Sequence, residues 1–179
     1  MIIRPGLIVG ENDPTNRFTY WITRTAKGGD AIAPPAEQPI QFVDARDLAD
    51  FTLNRIEAGS TEIYNVTGPD KRLTFGEWLS VAKDALNSNV NYHHVTDEFL
   101  TSHEIGEFME LPLWLKLPDA EQFMTFDVNK AINDGLVFRP LADTIDHTYQ
   151  WAKDLPDDTP KPANLPVEKE DLLLKSLDT

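Results

Sequence analysis

The residues best placed to do chemistry follow a glycine-bounded apolar stretch close to the N-terminus. The run Ile2–Gly10 is followed by a polar segment that contains Asn12 and Arg17. A short apolar run that ends in glycine, with an Asp-Pro pair and a helical pattern after it, predicts a buried strand that leads into a loop and a helix. Ligands bind outside the carboxyl ends of such strands in open α/β sheets. We therefore expect a ligand site at this loop, with an ordinary core strand and turn as the alternative.

Two further sets of polar residues invite a chemical interpretation. Asp44 and Asp47 could suggest a metal or acid–base site, but both lie where a helix is expected to begin. Capping and the helix dipole favour carboxylates there, so we interpret them as capping residues. His93 and His94 are adjacent in a predicted strand and would point to opposite faces, so they are not expected to share a metal ion. No metal site is predicted.

The composition limits the classes of partner. The chain has 179 residues, 41% of them hydrophobic, which suits one domain with a sizeable core. The formal net charge of −14 disfavours nucleic acid and anionic membranes as partners. The sequence has no cysteine, no apolar run approaching the roughly 20 residues of a membrane span, and no signal-peptide pattern. We expect a soluble, cytoplasmic protein.

The elements that must position these residues alternate between strands and helices. A helix is expected after Asp13, as the cap, and Pro14, with Phe18, Trp21 and Ile22 on its buried face. A proline-stiffened loop over residues 31–35 precedes further strands at 40–43, 62–67 and 90–95, and helices begin after Asp44 and at the capping box of Thr74 and Glu77. Core packing is the alternative to any ligand role for Trp21.

The second half of the chain is predicted to be mostly helical. Residues 99–117 suggest short helices that cover a ligand cleft, with a plain satellite core as the alternative. Helices are also expected at 127–133 and 141–153. Residues 155–166 form a proline-rich extended arm, and residues 167–179 form a docked helix or a disordered acidic tail. The apolar surface of Leu172, Leu173, Leu174 and Leu177 favours the docked form, in which two or three of these leucines would be buried.

Several stretches resemble one enzyme family. They are Arg4-Pro5-Gly6 with Gly10, Asp13-Pro14-Thr15 with Arg17-Phe18, and residues 42–49, 64–68 and 135–140. This set, in this order, resembles the extended short-chain dehydrogenases/reductases, also called the NAD-dependent epimerase/dehydratase family. In that family the first stretch is the strand that follows the helix bearing the catalytic Tyr-x-x-x-Lys pair. The resemblance therefore covers only the C-terminal half of such an enzyme, residues 1–154.

The resemblance implies an α/β fold, namely the C-terminal part of a Rossmann-like doubly wound sheet plus a small, mostly helical substrate-binding subdomain. Pro5, Gly6 and Leu7 would place backbone against the nicotinamide end of NAD or NADP. The family's Gly-x-x-Gly-x-x-Gly loop is absent from the sequence, so tight cofactor binding by this chain is not expected. A Tyr-x-x-x-Lys spacing at Tyr149 and Lys153 lies in the last core helix, and we interpret it as packing. No catalytic residue is predicted.

The expected function is that of a substrate-binding portion of an NAD(P)-dependent oxidoreductase, epimerase or dehydratase. Asn12, Arg17 and Trp21 are the candidates on the substrate side. Nucleotide-sugar epimerases carry an Arg-Asp pair where this chain has Ile40 and Gln41, so a small carbonyl or hydroxy compound is favoured as substrate. Unpaired sheet edges predict a homo-oligomer. The alternative function is a non-catalytic regulatory or protein-interaction module derived from the same fold.

Overall fold

A computed structural model of the chain describes residues 1–177. Its strands are β1 (Ile2–Pro5), β2 (Leu7–Val9), β3 (Asp30–Ala33), β4 (Phe42–Asp44), β5 (Ile63–Val66), β6 (Asn91–His94), β7 (Glu107–Phe108) and β8 (Leu111–Pro112). Its helices are α1 (Arg17–Lys27), α2 (Ala45–Glu57), α3 (Phe75–Ala85), α4 (Asp97–Ser102), α5 (Leu117–Phe123), α6 (Asn129–Asn133), α7 (Leu141–Ala152) and α8 (Val167–Ser176). None of the helices within these residues is long and apolar enough to span a bilayer.

The strands pair in parallel, as a Rossmann-like α/β fold requires. β1 pairs with β5, β2 with β4 and β3 with β6, and the register of the first pair runs from Ile2 opposite Ile63 to Pro5 opposite Val66. Parallel neighbours need long crossover connections, and α1, α2 and α3 lie within these connections. The predicted fold class, the C-terminal part of a doubly wound sheet with short helices added, is confirmed.

The first strand differs from the prediction of one continuous buried strand. It divides at Gly6, and Ile2 and Ile8 are 53% and 47% exposed. Gly6 packs against Thr67 so closely that a Cβ on Gly6 would lie 2.3 Å from Thr67 Oγ1, so only glycine fits there. β1 and β2 each have a single strand partner among residues 1–177. Ile2 is exposed together with Ile63, its partner across the strand pair.

Two local predictions in the first 35 residues are wrong. The predicted loop at 31–35 contains β3, because the four residues before Pro34 are free to pair and Ile32 is buried against β6. The first helix begins at Arg17 and not after Asp13. The Asp13 carboxylate instead accepts hydrogen bonds from Thr15 N and Oγ1, at 2.9 and 2.6 Å. Its local turn competes with capping of the helix.

An aromatic cluster forms the main core. The Phe18 and Trp78 rings stack with 5.2 Å between their centroids, and Trp21 meets Phe75 edge to face at 5.1 Å. These side chains come from α1 and α3, whose predicted apolar faces are confirmed, as is the capping box of α3. A second, smaller cluster packs α2 and α6 against β1 and β5. The aromatic core thus fixes α1, whose first residue, Arg17, follows the loop after β2.

The prediction of short helices over residues 99–117 is only partly right. α4 and α5 form, but the chain between them makes turns and the short β7–β8 pair. Glu104, Phe108 and Leu113 have φ angles of 54°, 66° and 66°, which no helix accommodates. Leu111, Leu113 and Trp114 are buried in the main core cluster, so the segment is part of that core. Phe108 is partly exposed, and its ring centre lies 4.5 Å from the Arg17 guanidinium carbon.

The C-terminal residues pack against the rest of the chain. α8 forms, and Leu173 is buried with Leu174 packed beside it, which confirms docking for these two leucines. Leu172 and Leu177 are 65% and 38% exposed, so they take little part in the docking. They lie on the outward face of a helix that has one apolar side. Residues 178 and 179 of the predicted tail lie outside the described residues.

The arm before α8 reaches the N-terminal loop. Ala163 N donates to Thr15 O at 3.1 Å, and Asn16 Nδ2 donates to Ala163 O at 2.7 Å. Asn164 N donates to Met109 O at 2.9 Å. Ala163 and Leu165 are buried. The arm therefore joins the loop after β2 to the segment that carries Phe108, and we call residues 163–176 the strap.

Candidate functional site

A cavity lies at the carboxyl ends of β1 and β2, where ligands bind in open α/β sheets. Its volume is about 360 Å³, and it is lined by residues 6–9, 11–15, 17 and 45. Of the residues selected from the sequence, Gly6, Leu7, Asn12 and Arg17 are brought together here. We call it the loop cavity.

The loop cavity owes its shape to unusual backbone conformations. Gly10 has a φ angle of 126°, and Asn12 and Asn16 each have a φ of 62°. Glycine and asparagine adopt this left-handed region at the lowest cost. The Asn16 side chain bonds to Ala163 O and does not cap α1, so the strap holds the loop at its far end. The positive φ angles of these residues therefore favour an irregular loop over a regular two-residue turn.

Arg17 is the one basic side chain among the lining residues. Its Nε donates to Thr15 Oγ1 at 3.2 Å, and its guanidinium carbon lies 4.5 Å from the centre of the Phe108 ring. Contact with a ring face stabilises a cation and fixes its position. No ion pair of Arg17 occurs within residues 1–177, so its terminal nitrogens can donate to a carbonyl or hydroxyl oxygen.

The acidic side chains of the loop cavity have partners of their own. Asp13 is held by Thr15, as described above, and Glu11 Oε1 lies 3.2 Å from His147 Nδ1 of α7. Both acidic side chains of the cavity are therefore paired with neighbouring residues. This arrangement suits an uncharged polar ligand better than a phosphate, because two carboxylates accompany one guanidinium.

Two of the other selected residues lie elsewhere. Trp21 is fully buried in the aromatic core, and its indole N–H donates to Pro112 O at 2.7 Å. It therefore serves packing and is left out of the site. Pro5 precedes Gly6 in β1 and does not line the cavity.

Asp44 and Asp47 are engaged in structural hydrogen bonds. Asp44 caps α2 through Arg46 N at 2.8 Å and also accepts from Thr144 Oγ1 at 2.8 Å. Burial raises the pKa of Asp44, but the hydrogen bonds from Arg46 and Thr144 outweigh it and hold this pKa below its ordinary value. The Asp47 carboxylate accepts from Arg139 N at 3.0 Å and from Arg139 Nε at 2.6 Å, so Asp47 lies in the first turn of α2 but does not cap it. Neither carboxylate belongs to a metal-binding cluster among the described residues.

The remaining polar candidates also have partners. His93 bonds to Asp30 at 2.8 Å and His94 to Pro34 O at 2.7 Å, so the two rings lie apart as expected. The Lys153 amine bonds to Gln150 Oε1, and Tyr149 packs against the main core. Gln41 pairs with the Phe126 backbone, donating at 3.1 Å and accepting at 2.8 Å. Its amide is thus not free for a nucleotide diphosphate.

Sequence reasoning missed two residues that shape the loop cavity. Thr15 positions both Asp13 and Arg17, and the Asp-x-Thr spacing of a local side-chain turn could have indicated it. Phe108 lies 91 residues after Arg17 in the chain, and no local pattern points to their contact. Such a contact depends on how the segment between α4 and α5 folds back onto α1.

Comparison with known proteins gives matches by structure. No protein-family model and no curated protein matches the sequence. The enzyme WbmH of Bordetella bronchiseptica, solved with NAD+, is 15% identical with a TM-score of 0.59, over 85% of this chain and 45% of that one. The UDP-glucose 4-epimerase of Thermus thermophilus, solved with NAD, is 16% identical with a TM-score of 0.56, over 86% and 46%.

A third match is the dTDP-4-dehydrorhamnose reductase of Clostridium acetobutylicum, 12% identical with a TM-score of 0.59 over 85% of this chain and 48% of that one. The chain thus spans slightly less than half the length of each of these enzymes. At this identity the likeness establishes a shared fold. It confirms, at the level of the fold, the resemblance to half of an epimerase/dehydratase chain that the sequence motifs indicate.

Proposed function

We propose that this chain is the C-terminal, substrate-side portion of an NAD(P)-dependent oxidoreductase, epimerase or dehydratase that acts on a small carbonyl or hydroxy compound. The observation that supports the proposal is the loop cavity, which lies at the carboxyl ends of two parallel strands and contains Asn12 and Arg17. The fold of the chain also matches slightly less than half of two enzymes whose structures were solved with NAD.

Asn12 and Arg17 hold the substrate in this proposal. Arg17 donates to the oxygen that changes between carbonyl and hydroxyl, because its guanidinium is fixed by Thr15 and by the Phe108 ring. A nucleotide-sugar substrate is disfavoured, since Ile40 is fully buried and the Gln41 amide is occupied by backbone. The substrate class is therefore a small uncharged molecule.

The nicotinamide end of the cofactor would meet the backbone of Gly6 and Leu7, with Pro5 immediately before them. These groups suit the flat face of the nicotinamide ring, because Gly6 carries no side chain and Leu7 is apolar. When bound, NAD or NADP would accept or donate a hydride. About 360 Å³ is near the lower limit for small-molecule pockets and is too small for a whole dinucleotide. The phosphates therefore need residues that the sequence of this chain does not supply.

A cofactor titration tests this assignment. NADH or NADPH added to the 179-residue chain should show no binding in the micromolar range, because the phosphate-cradling loop is absent. A longer polypeptide that supplies an in-frame glycine-rich strand, loop and helix should bind the cofactor. In that polypeptide Arg17→Ala should raise KM for the carbonyl substrate while cofactor affinity stays unchanged.

Micromolar NADH binding by the chain alone would overturn the claim that the cofactor-binding half of the enzyme is missing from this chain. The DNA upstream of the Met1 codon provides a second test. An in-frame glycine-rich segment there favours the enzyme. A ribosome-binding site and start codon at Met1 would instead favour a non-catalytic module built on the same fold.

We also propose that the chain alone associates with itself and resides in the cytoplasm. β1 and β2 each have one strand partner among the described residues, and Ile2 of β1 and Ile8 of β2 are exposed. Unpaired strand edges invite pairing with another chain. The cytoplasmic location rests on the lack of cysteine, which suits a reducing compartment.

A further inference from the structure

Phe108 contacts Arg17, which lines the loop cavity, and itself lines a second cavity. One side of its ring carries the Arg17 guanidinium at 4.5 Å, and its ring centre lies 6.1 Å from that of Phe123 in an edge-to-face arrangement. The second cavity has a volume of about 540 Å³ and is lined by Phe108, Leu115, Asp119, Gln122 and Phe123. We call it the aromatic cavity.

The backbone at Phe108 supports a role beyond packing. Its φ angle of 66° is unfavourable for a bulky residue and is held by the hydrogen bond from Phe108 N to Trp114 O at 2.8 Å. Non-glycine residues in this region persist where the surrounding structure fixes them, and they cluster at ligand sites. The strap adds a second constraint at the neighbouring residue, since Met109 O accepts from Asn164 N at 2.9 Å.

The aromatic cavity is unusual for a water-exposed surface. Phe123 is 52% exposed at the C-terminal end of α5. A polar residue at this exposed position would have left no apolar surface in contact with water. Two polar side chains, Asp119 and Gln122, line the same cavity. An apolar floor with a few polar groups at its rim is the usual composition of a small-molecule site.

We infer that the two cavities form one elongated site, and that the substrate is a carbonyl or hydroxy compound bearing an aromatic ring. Its oxygen lies at Arg17 in the loop cavity, and its ring packs on Phe108 and Phe123. This inference rests on the proposed function and makes Phe108 the specificity-determining residue. The occupant of the aromatic cavity is an aromatic ring, because edge-to-face and offset contacts with two phenylalanines favour a ring over an alkyl chain.

The test uses the full chain and two ketones, acetophenone and dihydroxyacetone, with backbone amide shifts followed by NMR. Acetophenone should shift the amides of Asn12, Arg17, Phe108 and Phe123 along one titration curve. Phe123→Ala should weaken its binding at least tenfold, and Phe108→Ala should weaken it further. Phe126→Ala is the matched control, because Phe126 is 46% exposed but lines neither cavity.

The Phe123→Ala variant keeps the test valid if Phe108→Ala fails to fold, since Phe123 is largely exposed. Acetophenone shifts confined to residues 115–123, or affinity unchanged by Phe123→Ala, would overturn the elongated site. Dihydroxyacetone shifts at Asn12 and Arg17, with an affinity equal to that of acetophenone, would overturn it while leaving the proposed function intact. An absence of acetophenone shifts at both cavities would also overturn it. The proposed function fails separately, through micromolar NADH binding by the chain alone.

Discussion

The ion pair between Arg24 of α1 and Glu170 of α8 is the most deeply buried charged contact in the described chain. Arg24 Nε lies 2.8 Å from Glu170 Oε2, and both side chains are at least 90% buried. Glu170 also accepts from Ile32 N of β3 at 3.2 Å, while Arg24 Nη1 donates to Gly28 O at 2.8 Å. Each charge thus has several partners, which is the condition under which a buried pair persists.

Glu170→Gln should therefore destabilise the fold. The substitution leaves Arg24 buried with an uncompensated charge, and breaking a buried pair in this way costs about 3–5 kcal/mol. Urea unfolding followed by circular dichroism measures the loss. Glu168→Gln on the exposed side of the same helix is the control and should change the free energy of unfolding by less than about 0.5 kcal/mol. Equal stability of the two variants would contradict a buried pair.

Asp44 makes stability depend on pH in the acidic range. Its pKa is held below the ordinary value of 3.8 by Arg46 and Thr144, against the effect of burial. A carboxyl whose pKa is lower in the folded state stabilises the fold above its unfolded pKa, and loses that contribution as the pH falls through the folded pKa. The contribution of Asp44 should therefore be complete at about pH 6 and decline below about pH 4.

Asp44→Asn tests this dependence. The variant should be less stable than the wild type at about pH 6, and the difference should shrink as the pH falls from about 4 toward about 2. The urea midpoint at each pH measures it. Asp50→Asn is the control on the same helix, because its carboxylate is 73% exposed. A difference that stays constant over this whole pH range would mean that the Asp44 charge does not stabilise the fold.

Among the elements, the strap links parts of the chain that are distant in sequence. It binds the loop after β2 through Ala163, the Phe108 segment through Asn164, and α1 and β3 through Glu170. Lys169 adds an ion pair to Glu110. One terminal element therefore fixes both walls of the proposed elongated site.

Removing residues 156–179 should loosen the loop cavity and lower stability. Burial of Leu165 and of Leu173 stabilises the fold by about 1.5–3 kcal/mol each, and the truncation removes this contribution. Part of the loss is offset, because the truncated chain no longer has to order the arm. We expect the melting temperature to fall by roughly 5–10 °C. Amide exchange at Thr15 and Asn16 should accelerate in the truncated chain.

Leu172→Ala is the control for the truncation, because Leu172 is 65% exposed on the same helix. It should leave the melting temperature within about 1 °C of the wild type. In the intact chain, amides 172–177 should exchange more slowly than in a random coil. Random-coil exchange rates there, or an unchanged melting temperature after truncation, would show that the strap does not dock.

Elements with strong local signals can be predicted from the sequence. The apolar stripe and capping box of α3 and the alternation of β6 determine those elements locally. β3 escapes prediction because Ala31 and Ile32 lie beside two prolines, and only pairing with β6 and the cover of α8 make that segment a strand. Glu170 reads as part of an acidic tail because nothing near it in the sequence reveals that Arg24 faces it.

The same difference applies to the candidate site. Gly6, Leu7, Asn12 and Arg17 lie within one strand and its loop, so the position of the cavity can be predicted from the chain itself. The inclusion of Trp21 is wrong, because an aromatic side chain on a helix near a loop can face either the core or the ligand. The Phe108 contact and the strap depend on tertiary packing over more than 90 residues, which periodicity does not encode.

At the scale of the whole molecule, half of a doubly wound sheet leaves one side without cover. Parallel sheets are normally buried on both faces. Here the β1–β5 pair packs on α2 and α6 through Tyr64 and Val66, while Ile2 and Ile63 are exposed. Ile8 is exposed in β2, whose only strand partner in the described chain is β4.

The chain alone should therefore associate through the free edge of β1 and β2, and the association should strengthen with salt. A net charge of −14 repels a second copy at low ionic strength, and raising the salt from about 0.01 to 0.15 M shortens the screening length from about 30 to 8 Å. Light scattering at high micromolar concentration should give a mass above that of the monomer.

Ile8→Lys should restore the monomer, because a charged edge residue opposes strand pairing. Leu53→Lys is the control, since Leu53 is 59% exposed on α2 and belongs to neither strand, and it should leave the association unchanged. A strict monomer at all salt concentrations, or an equal effect of the two lysines, would show that the free edge does not carry the contact.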